Sequence, residues 1–275
     1  MAILQEIYRL YQIEKEMQSE ETERLPIIKF NPYLPNLGEI WEVGNSFFLI
    51  VERKEIYQKT FFLAMKMSNY WELGTHEDLI VKIEEGSISF ISSVWIIETW
   101  NTVYIPDDKF LLGAQKVGKI SHSDFKTICD YLYHKIEKLP CVRGYVPKED
   151  KHFVQNLFHT EEAEAVKPLK DAYDRWIKQM EEVIKSVERE LEELLPAAET
   201  ETKLVELANA DVFIKDKHTL QIVFAQKLED KIVNILWGNV GLKVTQAKHT
   251  EIIKLPFTLH PELVKRYLKI TPLSL

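Results

Sequence analysis

The chain has 275 residues, 45% hydrophobic and 28% charged, with 35 basic against 43 acidic side chains and a net charge of −8, so it can bury the cores of about two domains. Its two cysteines, Cys129 and Cys141, are too few for a disulfide framework, and a reducing, cytoplasmic setting is expected. The acidic balance weighs against tight nucleic-acid binding, the first residues lack the basic start and apolar core of a signal peptide, and no run approaches the ~18 apolar residues of a membrane span.

Ile3, Ile7, Leu10, Tyr11 and Ile13 recur at helical intervals and predict an amphipathic first helix, after which SEETE and RLPIIKFNPYLPNLG break into an extended entry. From Gly38 the grammar changes. EIWEV, SFFLIVER, TFFLAMKM, DLIVKI, SISFISSVWIIET and TVYIP are short, aromatic and β-branched, with turn residues between them, and predict a small β-barrel. SHSDFKTICDYLYHKIEKLP then places Phe125, Ile128, Cys129, Leu132 and Ile136 on one helical face, with a cap at Ser121 or Ser123 and Pro140 as the stop.

CVRGYVPKEDKHF reads as irregular. Thr160 to Leu195 contains no glycine and is rich in Glu, Lys and Arg, which predicts one long charged helix. Its Pro168 either ends a short preceding turn or takes a first helical position. Leu169, Ala172, Tyr173, Trp176, Met180, Val183, Ile184, Val187, Leu191 and Leu194 form its apolar stripe, and only that stripe needs a partner surface. The protein's own barrel is the ordinary partner for such a stripe. Another chain is the alternative, with Trp176 and Met180 as contact candidates.

Pro196 closes the helical pattern, and AAETET follows with nothing to bury. Beyond it, DVFIKDKHTLQIVFAQKLEDKIVNILWGNVGLKVTQ alternates apolar and polar residues between turns, and LHPELVKRYLKI reads as a closing helix. The expected division is therefore residues 1–37 as helix and entry, 38–159 as barrel with its helix, 160–195 as charged helix, 196–202 as junction and 203–275 as a small β-rich domain.

Chemistry-bearing motifs are sparse. The eight histidines, His76, His122, His134, His152, His159, His218, His249 and His260, show no metal-ligand spacing, and no metal or cofactor is expected. THED at 75–78 and the pair Glu84 and Glu85 read as solvated turns. GNVG at 238–241 lacks the length and the lysine of a phosphate loop and reads as a hairpin turn.

In order and spacing, LGEIWEV, FFLIVE, FFLAMKMSN, EDLIVKI, SSVWIIETWNTVYIP and VGKISHSDFKTICDYL resemble the MazF/PemK toxin family over about Gly38 to Tyr133. The resemblance implies an α+β fold built on an SH3-like barrel. It also implies cleavage of RNA through the ribose hydroxyl, with an arginine opening the strand after the first long loop and a Thr or Ser ending the next strand. Here GNSFF replaces that loop, so Ser46 and Phe47 stand where the family carries Arg-Pro. A serine supplies no fixed cation for a developing phosphorane. Ser68 does end FFLAMKMS where the family has its hydroxyl, although a strand-end turn serine occupies the same kind of place. The expectation is a barrel silent toward RNA. The alternative is a ribonuclease toxin drawing on Arg53 and Ser68, and a third reading is a constitutive adaptor.

The layout of degenerate barrel, charged helix, junction and small C-terminal domain is similar to the toxin-like targets of type III CRISPR-associated SAVED-Lon proteases in antiviral defence. That resemblance implies a non-enzymatic protein that holds a sigma factor, like an anti-sigma factor, until the cyclic tetra-adenylate-activated protease cuts it. The junction Leu194, Leu195, Pro196, Ala197, Ala198 and Glu199 suits cutting. Pro196 disfavours helix at Leu195, the alanines are small, and extended backbone is what a protease groove binds. A plain surface linker has the same composition, and many proteases nick such loops.

Overall fold

Gly38 adopts φ +82°, a left-handed conformation that glycine reaches without a Cβ clash, and turns the chain into its first strand. In the computed structural model, strands β1 (Glu39–Val43), β2 (Ser46–Ile56), β3 (Lys59–Ser68), β4 (Asp78–Gly86), β5 (Val94–Pro106) and β6 (Gln115–Ile120) follow. They pair in the order β1-β2-β3-β5-β4-β6, and β6 returns antiparallel to β1 to close a barrel. The structure describes residues 2–21, 30–75, 77–86, 94–137, 153–194 and 203–273. They form two units, Met1–Lys54 with Phe61–Asp171, and Glu55–Thr60 with Ala172–Leu275. The fold is α+β.

The apolar runs of β2 and β3 are continuous because both of their faces are buried. Ile40, Leu49, Val51, Met65 and Met67 point into one cluster, which Ile128 of the helix α3 (His122–Leu132) completes. Their neighbours Trp41, Phe48, Ile50, Phe62 and Ala64 point the other way. There they meet Phe110 of α2 (Asp107–Leu111) and Val166 of the long helix α4 (Phe153–Glu193).

Several boundaries depart from the sequence reading. The two runs taken as separate strands at the end of the barrel are joined in β5, from Val94 onward, with residues 87–93 outside the described set. A register irregularity between Met65 and Met67 absorbs the polar step at Trp100 and Asn101. Ser121 rather than Ser123 caps α3, accepting from the Asp124 amide at 3.0 Å. That helix stops at Leu132, short of Ile136. His134 turns left-handed at φ 55°, its amide donates to the Tyr131 carbonyl at 3.0 Å and the Lys135 amide reaches back to the Asp130 carbonyl at 2.7 Å, the paired bonds of a Schellman ending. Pro140 and Cys141 lie outside the described residues.

Helix α1 (Ala2–Glu21) buries Tyr11 and partly buries Leu4, Ile7 and Tyr8. Ile3, Leu10 and Ile13, expected on its packed face, are 75%, 53% and 43% exposed. Helix α4 begins at Phe153, before Thr160, and holds Pro168 in its interior rather than at a start. The missing N–H leaves the Glu164 carbonyl without its helical donor.

In the second unit, β7 (Lys203–Leu207), β8 (Ala210–Asp216), β9 (Thr219–Phe224) and β12 (Thr250–Lys254) form a four-stranded sheet in the order β12-β9-β8-β7. Strands β10 (Ile232–Trp237), β11 (Val240–Gln246) and β13 (Leu268–Pro272) form a three-stranded one. GNVG is a hairpin turn as expected, with Trp237 opposite Val240 and Gly238 at φ 61°. The closing helix is shorter than expected. Helix α5 covers Pro261–Tyr267, and Leu268 and Ile270 then alternate inward as a strand paired with β10.

The stripe on the second half of α4 packs on these sheets, and Trp176 also meets Tyr57 and Lys59 at the turn between β2 and β3. Met180 and Val187 are fully buried in one core with Val212, Ile222, Ile235, Trp237 and Leu263, and the Trp176 indole donates to the Gly241 carbonyl at 3.0 Å. The units consequently divide at Asp171 and Ala172, within the helix. Of the proposed junction, Leu194 is described and partly buried against this core. Leu195, Pro196, Ala197, Ala198 and Glu199 lie outside the described residues. Met180→Ala should cost about 2–5 kcal/mol in denaturant unfolding, as for other buried large-to-small changes, whereas Leu10→Ala on the exposed side of α1 should stay within about 0.5 kcal/mol.

Candidate functional site

The barrel wall carries polar residues where its alternation calls for apolar ones. Lys66 in β3 is 6% exposed, and Glu98 and Asn101 in β5 are fully buried. Helix α4 lowers Glu162, 2% exposed, onto them. The Lys66 ammonium donates to Glu162 Oε2, and the Tyr11 hydroxyl of α1 donates to Glu162 Oε1 at 2.6 Å. Asn101 Nδ2 donates to Glu98 Oε2 at 2.9 Å and to the Glu162 backbone carbonyl at 3.1 Å, while Lys170 donates to Asn101 Oδ1 at 3.2 Å. The side chains of Tyr8 and Gln12 both donate to Glu161, one residue back on α4.

Charge is distributed unequally over the two carboxyls. Burial, then the charge of Glu162, pushes Glu98 well above the usual carboxylate range. Burial works on Glu162 in the same direction, but the Lys66 charge and hydrogen bonds from Glu98, Lys66 and Tyr11 outweigh it and hold Glu162 low. Burial likewise opposes the charge on Lys66, and the carboxylates of Glu162 and Glu98 override it to raise that lysine. Burial and Glu162 together raise the Tyr11 phenol, and burial with a hydrogen bond to Glu161 pushes Tyr8 up to about 12.

A second polar set fastens the start of α4. His159 Nε2 lies 3.4 Å from Asp78 Oδ2, and the Trp100 ring stacks on the imidazole with centroids 4.4 Å apart. Asp78 accepts from the Trp100 indole at 2.9 Å and from the Thr75 amide at 2.7 Å, and Gln155 donates to the Gly74 carbonyl at 2.8 Å. The arrangement ties helix to barrel through Gln155, His159, Asp78 and Trp100.

Beside the Lys66–Glu162 pair lies a cavity of about 70 Å³. Ser46, Phe47 and Ser68, the three positions singled out by family resemblance, all line it, together with Tyr11 and Lys15 from α1 and Ala165 from α4. Ser68 is 6% exposed, and its hydroxyl accepts from the Tyr70 amide at 3.2 Å, the contact of a strand-end turn. Phe47 meets the Trp95 ring edge-on at 5.1 Å. Arg53 is exposed on β2 and is not among the lining residues. The volume is well below the ~300 Å³ at which ligand pockets begin. The cations at its wall are engaged, Lys66 by Glu162 and Lys15 by Glu161 at 3.6 Å.

The sequence reading found Ser46, Phe47 and Ser68 and missed Lys66, Glu98, Glu162 and Tyr11. A signal was present: Lys66 interrupts FFLAM-K-MS, and Glu98 and Asn101 interrupt a strand that is otherwise aromatic and β-branched. No family model matches the chain, and no curated protein matches it. Among the described residues no helix is long and apolar enough to cross a membrane, and no group of His, Cys, Asp and Glu is placed to hold a metal ion.

Lys66→Met should destabilise the full chain by about 3–5 kcal/mol in denaturant unfolding, because it leaves Glu162 buried and uncompensated. Adding Glu162→Met to it should restore most of that loss, and the double-mutant cycle gives the coupling.

Proposed function

We propose that the protein is a non-enzymatic regulatory scaffold of SH3-like, MazF/PemK-like architecture. A CRISPR-activated SAVED-Lon-type protease cuts it at the junction that follows α4, and until then it holds a sigma factor in the manner of an anti-sigma factor. The observation that carries the non-enzymatic part is the cavity where Ser46, Phe47 and Ser68 meet. Its nearest cations are tied to carboxylates. Stabilising a phosphorane needs a preorganised cation aimed at the developing charge, and an ammonium already bound to a carboxylate in a dry wall is not available for that. The order of strands and the helix after β6 support the family resemblance. Pro196, the small Ala197 and Ala198, and the polar run from Glu199 to Thr202 support the cut.

A cut there falls inside the second unit, where α4 and the C-terminal sheets share a core. It removes the covalent tether without removing the packing, so the two pieces stay docked at first and separate by dissociation. Release of a held partner then depends on how tightly the Met180 face holds the sheets.

Long RNA incubated with the pure protein should remain intact. Metal-independent cleavage that disappears in Ser68→Ala or Arg53→Ala would overturn the non-enzymatic reading. Activated protease should yield two fragments with new ends between Leu194 and Thr200 that co-elute on size exclusion and come apart more readily in Met180→Ala. Cutting elsewhere, or undiminished cutting after replacement of residues 195–198 with bulky charged ones, would reduce the segment to a tether.

A further inference from the structure

We propose that a single proton, held between the carboxyls of Glu98 and Glu162, is a structural part of the seam fastening α1 and the first half of α4 to the barrel, and that its release as the pH rises eases opening of the seam. The reasoning starts from a count of charges. Two fully or nearly buried carboxyls face one ammonium, and that ammonium donates to Glu162. Glu98 receives the Asn101 amide on Oε2 alone, and no donor among the described residues reaches its buried Oε1. An ionised Glu98 would leave a charged oxygen desolvated and without a donor, a costly arrangement in a protein interior. As the neutral acid it turns that atom into an O–H donor, and the Glu162 carboxylate, which accepts from Lys66 and Tyr11, has lone pairs to receive it. The direction in which each carboxyl is shifted agrees with that arrangement.

The charged and titratable groups around Glu98 come from four elements. Lys66 projects from β3. Glu162 and, through Asn101, Lys170 come from α4. Tyr11 of α1 lies beyond Glu162, and Asp78, the ladder neighbour of Glu98 on β4, is paired with His159. Among the described residues no donor reaches Glu98 Oε1, so the proton is the economical solution.

Opening the seam hydrates Glu98 and lets it ionise in the ordinary carboxylate range, so opening releases one proton. The closed state is favoured most at low pH. Opening becomes about tenfold easier per pH unit from about pH 5 up to the pH at which Glu98 titrates in the closed protein, and levels off above it. Glu162, held low, stays ionised in both states across that window, and Lys66, held high, stays protonated.

Two measurements on the full-length protein test this. Infrared spectra of the wild type at neutral pH should contain the carbonyl stretch of a protonated carboxyl, absent from Glu98→Gln. Hydrogen-exchange protection of amides in α1 and in residues 154–170, corrected for intrinsic exchange, should fall about tenfold per pH unit in the wild type. It should be flatter in Glu98→Gln, whose amide places a permanent donor on Glu162. His159 is retained in both proteins, so the difference between the profiles isolates Glu98. If Glu98→Gln does not fold, a wild-type protection that falls with pH while the protonated-carboxyl signal is present and levels off where that signal is lost upholds the proposal. Absence of a protonated carboxyl at neutral pH, or equal slopes in both proteins, overturns it.

Discussion

A carboxylate buried in a barrel wall has to be paired, and Glu162 imposes that requirement on most of the first unit. Its penalty for leaving water is several kcal/mol. The partners that offset it come from separate places in the sequence, Lys66 from β3 and Tyr11 from α1, while Asn101 on β5 grips the backbone carbonyl of Glu162. Each is buried by the same contact that satisfies it. The rotation of α1 about its axis follows from Tyr8 and Tyr11 reaching Glu161 and Glu162. This is why Ile3, Leu10 and Ile13 are left outside although they follow helical spacing as well as the buried residues do.

The same pairing decides the chemical character of the cavity. A lysine next to a serine at the end of a strand has the elements of a phosphate-cleaving site. Here the lysine is neutralised by a residue from a helix packed over it, and the serine is spent on a turn amide. Ion pairing in a dry wall favours a fixed geometry over reactivity, since the group would have to break a charge-assisted bond before meeting a substrate. In this structure the Lys66 ammonium is held by Glu162.

The barrel strands were legible because their two buried faces produce continuous apolar runs, which neither helices of this length nor loops contain. The capping serine of α3 was legible to within two residues, Ser121 against Ser123. What escaped was long-range. The end of α3 depends on His134 entering a left-handed conformation that no periodicity encodes, and Leu268–Pro272 is a strand only because β10 lies beside it. Glu162 looked like one more charge in a charged helix, and only the tertiary approach of Lys66 and Glu98 distinguishes it from the exposed Glu164 on the same helix. Ser46, Phe47 and Ser68 line one cavity, but the Lys66–Glu162 pair beside them joins residues 96 positions apart, a pairing that no local sequence pattern encodes.

The two halves of α4 are specified by different physics. From Val154 to Leu169 the helix is held by a mixture of apolar contacts and hydrogen-bonded charges, Gln155, His159 and Glu162 among them, so its register against the barrel is fixed by groups that tolerate no slip. From Trp176 to Leu194 it is held mainly by apolar side chains, with the Trp176 indole bonded to the Gly241 carbonyl and Glu190 accepting from Arg266 at 2.7 Å and from Tyr267 at 2.6 Å. Pro168, with its missing donor, lies in the first half, where Val166 and Leu169 on either side pack into the barrel cluster and offset the lost bond. A helix interrupted there would be marginal alone. It persists because each half is anchored by its own core, and for the same reason the covalent chain after Leu194 contributes little to keeping α4 in place.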